Sequence, residues 1–450
     1  MVARSVPAVD SCRQTMIETG YDFVTPDQLR VGLYVELELG WMAHPFPKGS
    51  FKISSERQIE TIRALGLKRV RFVPAKSDPP PEPVALVSEQ APGAPDHDDA
   101  VPEAPPAGPT PEQQARQRRA ALIGAQQQRL AQCDQQFGAA IRSYRNISEQ
   151  IKAQPTEAAA QCREMVDSLV GDVLAQGESS IRLLSESMGD RACMHPVNVT
   201  ILSLLLGKAL GLPEDALKDL AMAAFLHDIG KTQLPDRVRW VDTNFSPSEY
   251  KLYQDHVAHG VVIAKRMELS AGAMRAIAQH HEMMDGSGFP LHAKSEALGM
   301  PGKILALVNR YENMCNPARP SASVTPHEAL SLIFSQFKPR FDDVVLAAFI
   351  RMMGVYPPGS VVQLSDERFA LVVSVNSARP LKPRVIVHEP AVPKDEALIM
   401  DLEQADSPGI RRSLKPAVLP RAAIDYLSPR ARVCYFFERA VDPELAEACA

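Results

Sequence analysis

Between residues 193 and 356 apolar stretches recur at helical spacing, and two of them open on explicit start signals. Ser246-Pro247-Ser248-Glu249 and Thr325-Pro326-His327-Glu328 each offer a capping hydroxyl, a proline at the first helical position and an acid that closes a capping box. Such a succession buries its apolar stripes helix against helix, so this stretch predicts an all-helical domain.

The flanks read differently. Residues 25–73 open on the capping box Thr25-Pro26-Asp27-Gln28 and then give strand-like stretches at 33–37 and 69–73 around a helix at 55–65, a small α+β module. From 75 to 110 the chain turns to proline, alanine and acid, as in Asp78-Pro79-Pro80-Pro81-Glu82-Pro83, which predicts an extended linker. Residues 113–153 are rich in Ala, Gln and Arg and predict a long helix; Pro155 interrupts it, and a second helical stretch runs from 156 toward 188. These helices serve as a spacer or a surface for pairing with a second copy, a homodimer. After Pro357-Pro358-Gly359 the period turns to two, predicting strands at 360–364, 369–375 and 384–388. The expected divisions are therefore 1–75 (α+β accessory), 76–112 (linker), 113–178 (helical connector), 179–355 (helical domain) and 356–450 (β-rich extension).

At 450 residues several structural units are expected. A net charge of -5 and a pI near 6.2 disfavour extended nucleic acid as a partner. The seven cysteines are odd in number and scattered without a Cys-x-x-Cys pair, so neither a disulfide framework nor a thiolate zinc site is indicated. Charged residues interrupt the first 20 positions, and the most apolar helical run, 201–212, carries Lys208 and is too short to span a bilayer; a cytoplasmic location is expected.

Seven of the eleven histidines fall between 195 and 292. His227-Asp228 closes the apolar stretch 220–226 and is followed by Ile229-Gly230-Lys231. An imidazole and a carboxylate side by side can both donate to a metal, and the two oxygens of Asp228 can bridge two ions. Gly230 suggests close approach of backbone to a ligand, and Lys231 a point charge for a phosphate oxygen. His195, His256 and the pair His280-His281 would complete a nitrogen-rich set suited to iron, manganese, nickel or zinc rather than calcium or magnesium. His259, His292 and His327 are assigned ordinary structural roles.

The segment His280-His281-Glu282-Met283-Met284-Asp285-Gly286-Ser287-Gly288-Phe289-Pro290, with His227-Asp228-Ile229-Gly230-Lys231 and with His256 four residues before Gly260, resembles the HD-GYP subgroup of the HD phosphohydrolases over roughly 179–355. Residues 25–73 are similar, more faintly, to the small domain often found ahead of such modules. The resemblance implies a mainly α protein: a helical, metal-dependent HD phosphohydrolase domain flanked by a small N-terminal α+β module and a small C-terminal β-rich region. It implies two divalent ions, one held by His195, His227 and Asp228, the other by Asp228, His256, His280 and His281. It also implies that water activated by these ions opens cyclic di-GMP to linear pGpG and GMP, with His227, Asp228 and Lys231 in the catalytic set. Lys231 and Arg319 would clamp phosphate, and GGDEF-type cyclases would be partners through the Gly288-Phe289-Pro290 loop.

The sequence departs from that pattern at named positions. Asn309 stands where an aspartate ordinarily ligates the first ion, so that ion should be held more weakly. Arg191, four before His195, occupies the position of a further glutamate ligand, so no third ion is expected. Phe289 replaces the signature tyrosine and Met283 an arginine; the stretch 313–319 is one residue longer than usual, and Ala322 replaces a second basic residue. These departures support the competing reading of a non-catalytic receptor that binds cyclic di-GMP, or a protein partner, in the same pocket.

Overall fold

The computed structural model describes residues 22–37, 50–65, 67, 69–78, 110–175, 179–185, 190–242, 244–376, 379–404 and 406–439. They divide into two compact units, 1–106 and 107–450. Most of the expected linker, residues 79–109, lies outside the described residues, as do the first 21 positions and the tail from 440.

In the first unit β1 (Asp22–Val24), β2 (Tyr34–Glu36), β3 (Ser50–Lys52) and β4 (Val70–Phe72) form an antiparallel sheet in the order β1-β4-β2-β3, and α1 (Glu56–Ala64) follows β3. Leu33, Val35, Ile53, Ile59, Ile62 and Val70 make its small core. The expected capping box is present as a single turn, Gln28 Oε1 accepting from the Thr25 amide at 3.1 Å.

The second unit is mainly α. The long helix α2 (Pro111–Gln150) starts two residues before its expected position, because Thr110 caps it and Gln113 answers at 2.9 Å. From Cys133 onward its apolar side chains, Phe137, Tyr144 and Ile147 among them, pack into the core of their own chain, so this stretch is more than a spacer. Helix α3 (Pro155–Ala175) ends well short of the expected 188. Residues Ser179–Leu183 are instead a strand, β5, all five buried. The reason is tertiary: β5 is zipped between the strands Phe369–Asn376 and Tyr435–Arg439, which contribute its hydrogen-bond partners on both sides.

Seven helices follow: α4 (Arg191–Ala209), α5 (Glu214–Leu226), α6 (Pro247–Arg266), α7 (Ala271–Gln279), α8 (Met300–Cys315), α9 (Pro326–Gln336) and α10 (Asp343–Met353). The capping hydroxyls of Ser246 and Thr325 accept from Glu249 and Glu328 amides at 3.3 and 3.2 Å. Among the described residues α4 is the one helix long and apolar enough to cross a membrane, and 83% of its apolar window is buried inside the protein; it is the axis of the helical core.

The C-terminal part carries more than the three expected strands. β6 (Val361–Leu364), β7 (Phe369–Asn376), β8 (Arg384–Val387), β9 (Ile399–Asp401), β10 (Ile410–Leu414) and β11 (Tyr435–Arg439) join β5 in one antiparallel sheet, with α11 (Arg421–Leu427) beside it. Because β5 lies in that sheet, the expected divisions at 178/179 and 355/356 fall inside one folded body.

Candidate metal centre

Three helix ends and the middle of α6 converge. His227 terminates α5, and Asp228 opens the tight turn Ile229–Gln233 that carries Lys231. A Cβ on Gly230 would sit 1.9 Å from the His256 carbonyl oxygen and 2.5 Å from the Gly260 nitrogen, so only glycine lets this turn press against α6. The close neighbour of Gly230 is thus the backbone of α6 rather than a ligand, and the contact is what brings Asp228 to His256. His280 terminates α7, with His281 next in the chain. His195 comes from the second turn of α4.

Each ring is aimed by its outer nitrogen. His227, His256 and His280 use Nδ1 to donate to carbonyls three residues back, those of Ala224, Tyr253 and Ile277, at 2.7, 2.5 and 2.6 Å. His195 Nδ1 donates to Glu312, whose other oxygen accepts from Asn316 Nδ2 at 2.8 Å. All four Nε2 atoms therefore point inward with bare lone pairs. They meet in pairs: His195 and His227 at 3.1 Å, His256 and His280 at 3.2 Å.

Asp228 lies between the pairs. Its Oδ2 is 3.4 Å from the His195 and His227 nitrogens, and its Oδ1 is 3.5 Å from His256 and 3.8 Å from His280. Oδ1 is buried and has no hydrogen-bond partner among the described residues. Two sets of ligand atoms, Asp228 with His256, His280 and His281, and Asp228 with His195 and His227, each lie within 4.8 Å of one another. Two lone pairs facing each other at hydrogen-bond distance repel unless a proton or a cation stands between them. A buried carboxylate oxygen without a donor makes the same demand, so the residues present fit divalent cations.

At His227, His256 and His281 the electrostatics agree with the geometry. Burial drives the His227 pKa down to about 4 and those of His256 and His281 well below the usual range, so these rings are neutral at pH 7, the form that binds metal. Burial works against ionised Asp228, but Lys231 and the imidazoles outweigh it and hold the carboxyl well below its ordinary value. For His195 burial opposes the charge, yet Glu312 and Asp228 prevail and its pKa is raised.

The remaining predicted residues are placed less uniformly. Lys231 is buried, its Nζ 2.6 Å from Asp228 Oδ2 and 5.0 Å from the centre of the Trp240 ring. Asn309 is buried on α8, its Oδ1 accepting from Asn313 Nδ2 at 2.7 Å. Arg319 is exposed and paired with Asp242, outside the cluster of rings. In the expected cyclase-facing loop Gly288 is packed against the backbone of His281 and Glu282, and Phe289 is buried with its ring stacked on His281 at 4.4 Å; Leu291 is the exposed apolar residue there. His327 Nδ1 donates to the Val355 carbonyl, 2.8 Å away, and neither it nor His259 nor His292 joins the cluster.

Sequence reasoning assigned no role to Glu312, Trp240 or Tyr253. Glu312 carried a signal: it follows Asn309 by three residues on one helix, so both face the same way. Tyr253 carried the same signal, three residues before His256 on α6, whereas Trp240 reaches the site by tertiary packing alone.

Residues 177–345 match the family model described as HD domain, and residues 23–162 match one described as Domain of unknown function (DUF3391). A cyclic di-GMP phosphodiesterase of Pseudomonas aeruginosa is 28% identical over 80% of this chain and 83% of its own length. Cyclic di-GMP phosphodiesterases of Thermotoga maritima and Borreliella burgdorferi are 30% and 23% identical over 40% and 43% of this chain, which spans about half the length of each (50% and 51%). With its two signature blocks folded into one histidine and aspartate cluster, residues 177–345 carry an HD domain, and the relatives it resembles here are cyclic di-GMP phosphodiesterases.

Proposed function

We propose that this protein is a metal-dependent phosphodiesterase that hydrolyses cyclic di-GMP to linear pGpG and, on a second cut, GMP. The observation that carries the reading is the set of inward Nε2 lone pairs around Asp228, whose Oδ1 lacks any donor. His195, His227 and Asp228, with Asn309 beside them, would hold one ion; Asp228, His256, His280 and His281 would hold the other. The mixture of imidazole and carboxylate suits iron or manganese first, then nickel or zinc. Ions held there would lower the pKa of bound water and neutralise phosphate charge. Lys231, freed from Asp228 when the carboxylate turns to a cation, would donate to a phosphate oxygen. Arg319, tethered to Asp242 two residues beyond Trp240, would meet the substrate at the rim.

Residues 179–355 carry this chemistry, braced by 113–178 and 356–450; 1–75 form an accessory module joined through 76–112. The five described cysteines are buried free thiols, Cys133 and Cys162 pushed by burial to about 12, which supports a reducing, cytoplasmic setting. A cyclase partner would meet the signature loop at Leu291.

The test is turnover: protein loaded with manganese or iron(II) should convert cyclic di-GMP to pGpG, and His227→Ala should abolish this. A second reading, a receptor without turnover, draws on Asn309, which brings no charge and whose amide oxygen is already engaged by Asn313. Binding of cyclic di-GMP with no product under any of the four metals would decide for it.

A further inference from the structure

Arg191 is a buried cation that nothing above employs. It begins α4, one turn before His195, so the two side chains lie on one face of the helix. It is 7% exposed, and among the described residues no carboxylate lies within ion-pair distance of its guanidinium. Two of its nitrogens are fixed by neutral groups: Nε donates to the Asn316 carbonyl at 2.8 Å and Nη2 to Asn313 Oδ1 at 2.9 Å. Its carbon rests 4.5 Å from the centre of the Trp240 ring, the same indole that lies 5.0 Å from Lys231 Nζ. The third nitrogen, Nη1, is buried and has no hydrogen-bond partner among the described residues.

An unpaired guanidinium and an orphaned charged donor are both costly inside a protein, and native structures seldom keep either without a counter-ion. Arg191 is held in place by a backbone carbonyl, an amide and an indole, all of which leave its charge intact. The second cation under the same indole, Lys231, reaches into the metal centre through Asp228. Two fixed positive groups roofed by one tryptophan form a cradle for a doubly charged or bridging anion, and the fork of an arginine suits a phosphate oxygen.

We propose that Arg191 is a phosphate-binding residue, its Nη1 donating to a non-bridging oxygen of the bound phosphodiester beside Lys231. The identity of that phosphodiester rests on the phosphodiesterase reading; the anion site itself does not. Inorganic phosphate is the probe, titrated into the manganese-loaded full chain in a Trp41→Phe background, so that the fluorescence of Trp240 reports occupancy. Arg191→Gln should weaken phosphate binding by about tenfold or more and raise KM for cyclic di-GMP by a similar factor, with metal content unchanged. Arg191→Lys, which keeps the charge but loses the anchors to Asn313 and Asn316, should fall between, and decides the matter should the glutamine variant not fold. Phosphate affinity and KM within twofold of wild type in the folded variant would overturn the proposal. Phosphate binding that depends on Arg191 in a protein with no turnover would sink the phosphodiesterase reading and leave the anion site standing.

Discussion

The two halves of the metal centre are built by different means. Around His256 and His280 the rings are aimed by main-chain carbonyls of their own helices, and the turn that brings Asp228 to them is set by the backbone contact of Gly230. Around His195 the aiming group is a carboxylate, Glu312, itself positioned by Asn316, with the Asn309-Asn313-Arg191 chain of amide and guanidinium alongside. A carbonyl three residues back is supplied by any helix and survives substitution of its side chain; a side-chain network does not. Of the departures from the family pattern, two that change charge, Asn309 and Arg191, fall beside Glu312 and its amide partners, while Phe289, stacked on His281, falls in the other half.

The substitution that should erase the distinction is Asp228→Ala, since Asp228 alone belongs to both ligand sets. Loss of the shared carboxylate should lower turnover by about a thousandfold or more and remove metal from both halves. Elemental analysis that still finds one tightly bound ion in this variant would mean that the halves are independent sites. Acid should next separate two ligands of one half, His227 and His195. The His227 pKa is depressed by burial from 6.5 to about 4. The unfolded chain therefore binds the extra proton first, and this contribution, fully present above pH 6.5, is lost as pH falls toward 4, on the order of 3 kcal/mol for the metal-free protein. His195 runs the other way: its raised pKa contributes stability at low pH that fades as pH rises through the folded-state value. Denaturant unfolding of wild type and His227→Gln across pH 4 to 7 should show a steeper acid-side loss in the wild type, the variant keeping the part due to His256 and His281; equal slopes would place the protons elsewhere.

Glu312→Gln probes the side-chain-held half alone. It keeps size and removes the charge that fixes the His195 tautomer, so metal affinity in that half should drop by about 10- to 100-fold while the His256 half keeps its ion. Competition with a chelator, followed by elemental analysis, would resolve one weakened site from two.

How much of this could be read from the chain depends on whether a feature is local. The capped helices α6 and α9 and the ordered histidine motifs are local patterns, and they fold as the residues indicate. Strand β5 was hidden because Ser179–Leu183 has a strand's partners only at positions 374–376 and 435–439, far along the chain. Trp240 joins the centre for the same reason, by packing alone. Arg319 was legible as a basic residue in the right segment, but its pairing with Asp242 depends on a loop geometry that residue order does not encode.

The smallest expected effect tests why the halves differ. Asn309 Oδ1 accepts from Asn313 Nδ2 at 2.7 Å, and an aspartate there would keep that bond while adding a negative charge on the helix that carries Glu312. Without cations the new carboxylate adds to the charge of Asp228 and Glu312 and should lower stability; with cations it supplies the ligand charge that the neutral amide lacks. Asn309→Asp should therefore raise affinity in the His195 half by about tenfold and lift metal content after anaerobic purification from near one ion per chain toward two. If the wild-type chain already carries two ions against chelator, the amide costs that half nothing, and the contrast between the halves is one of construction without consequence for occupancy.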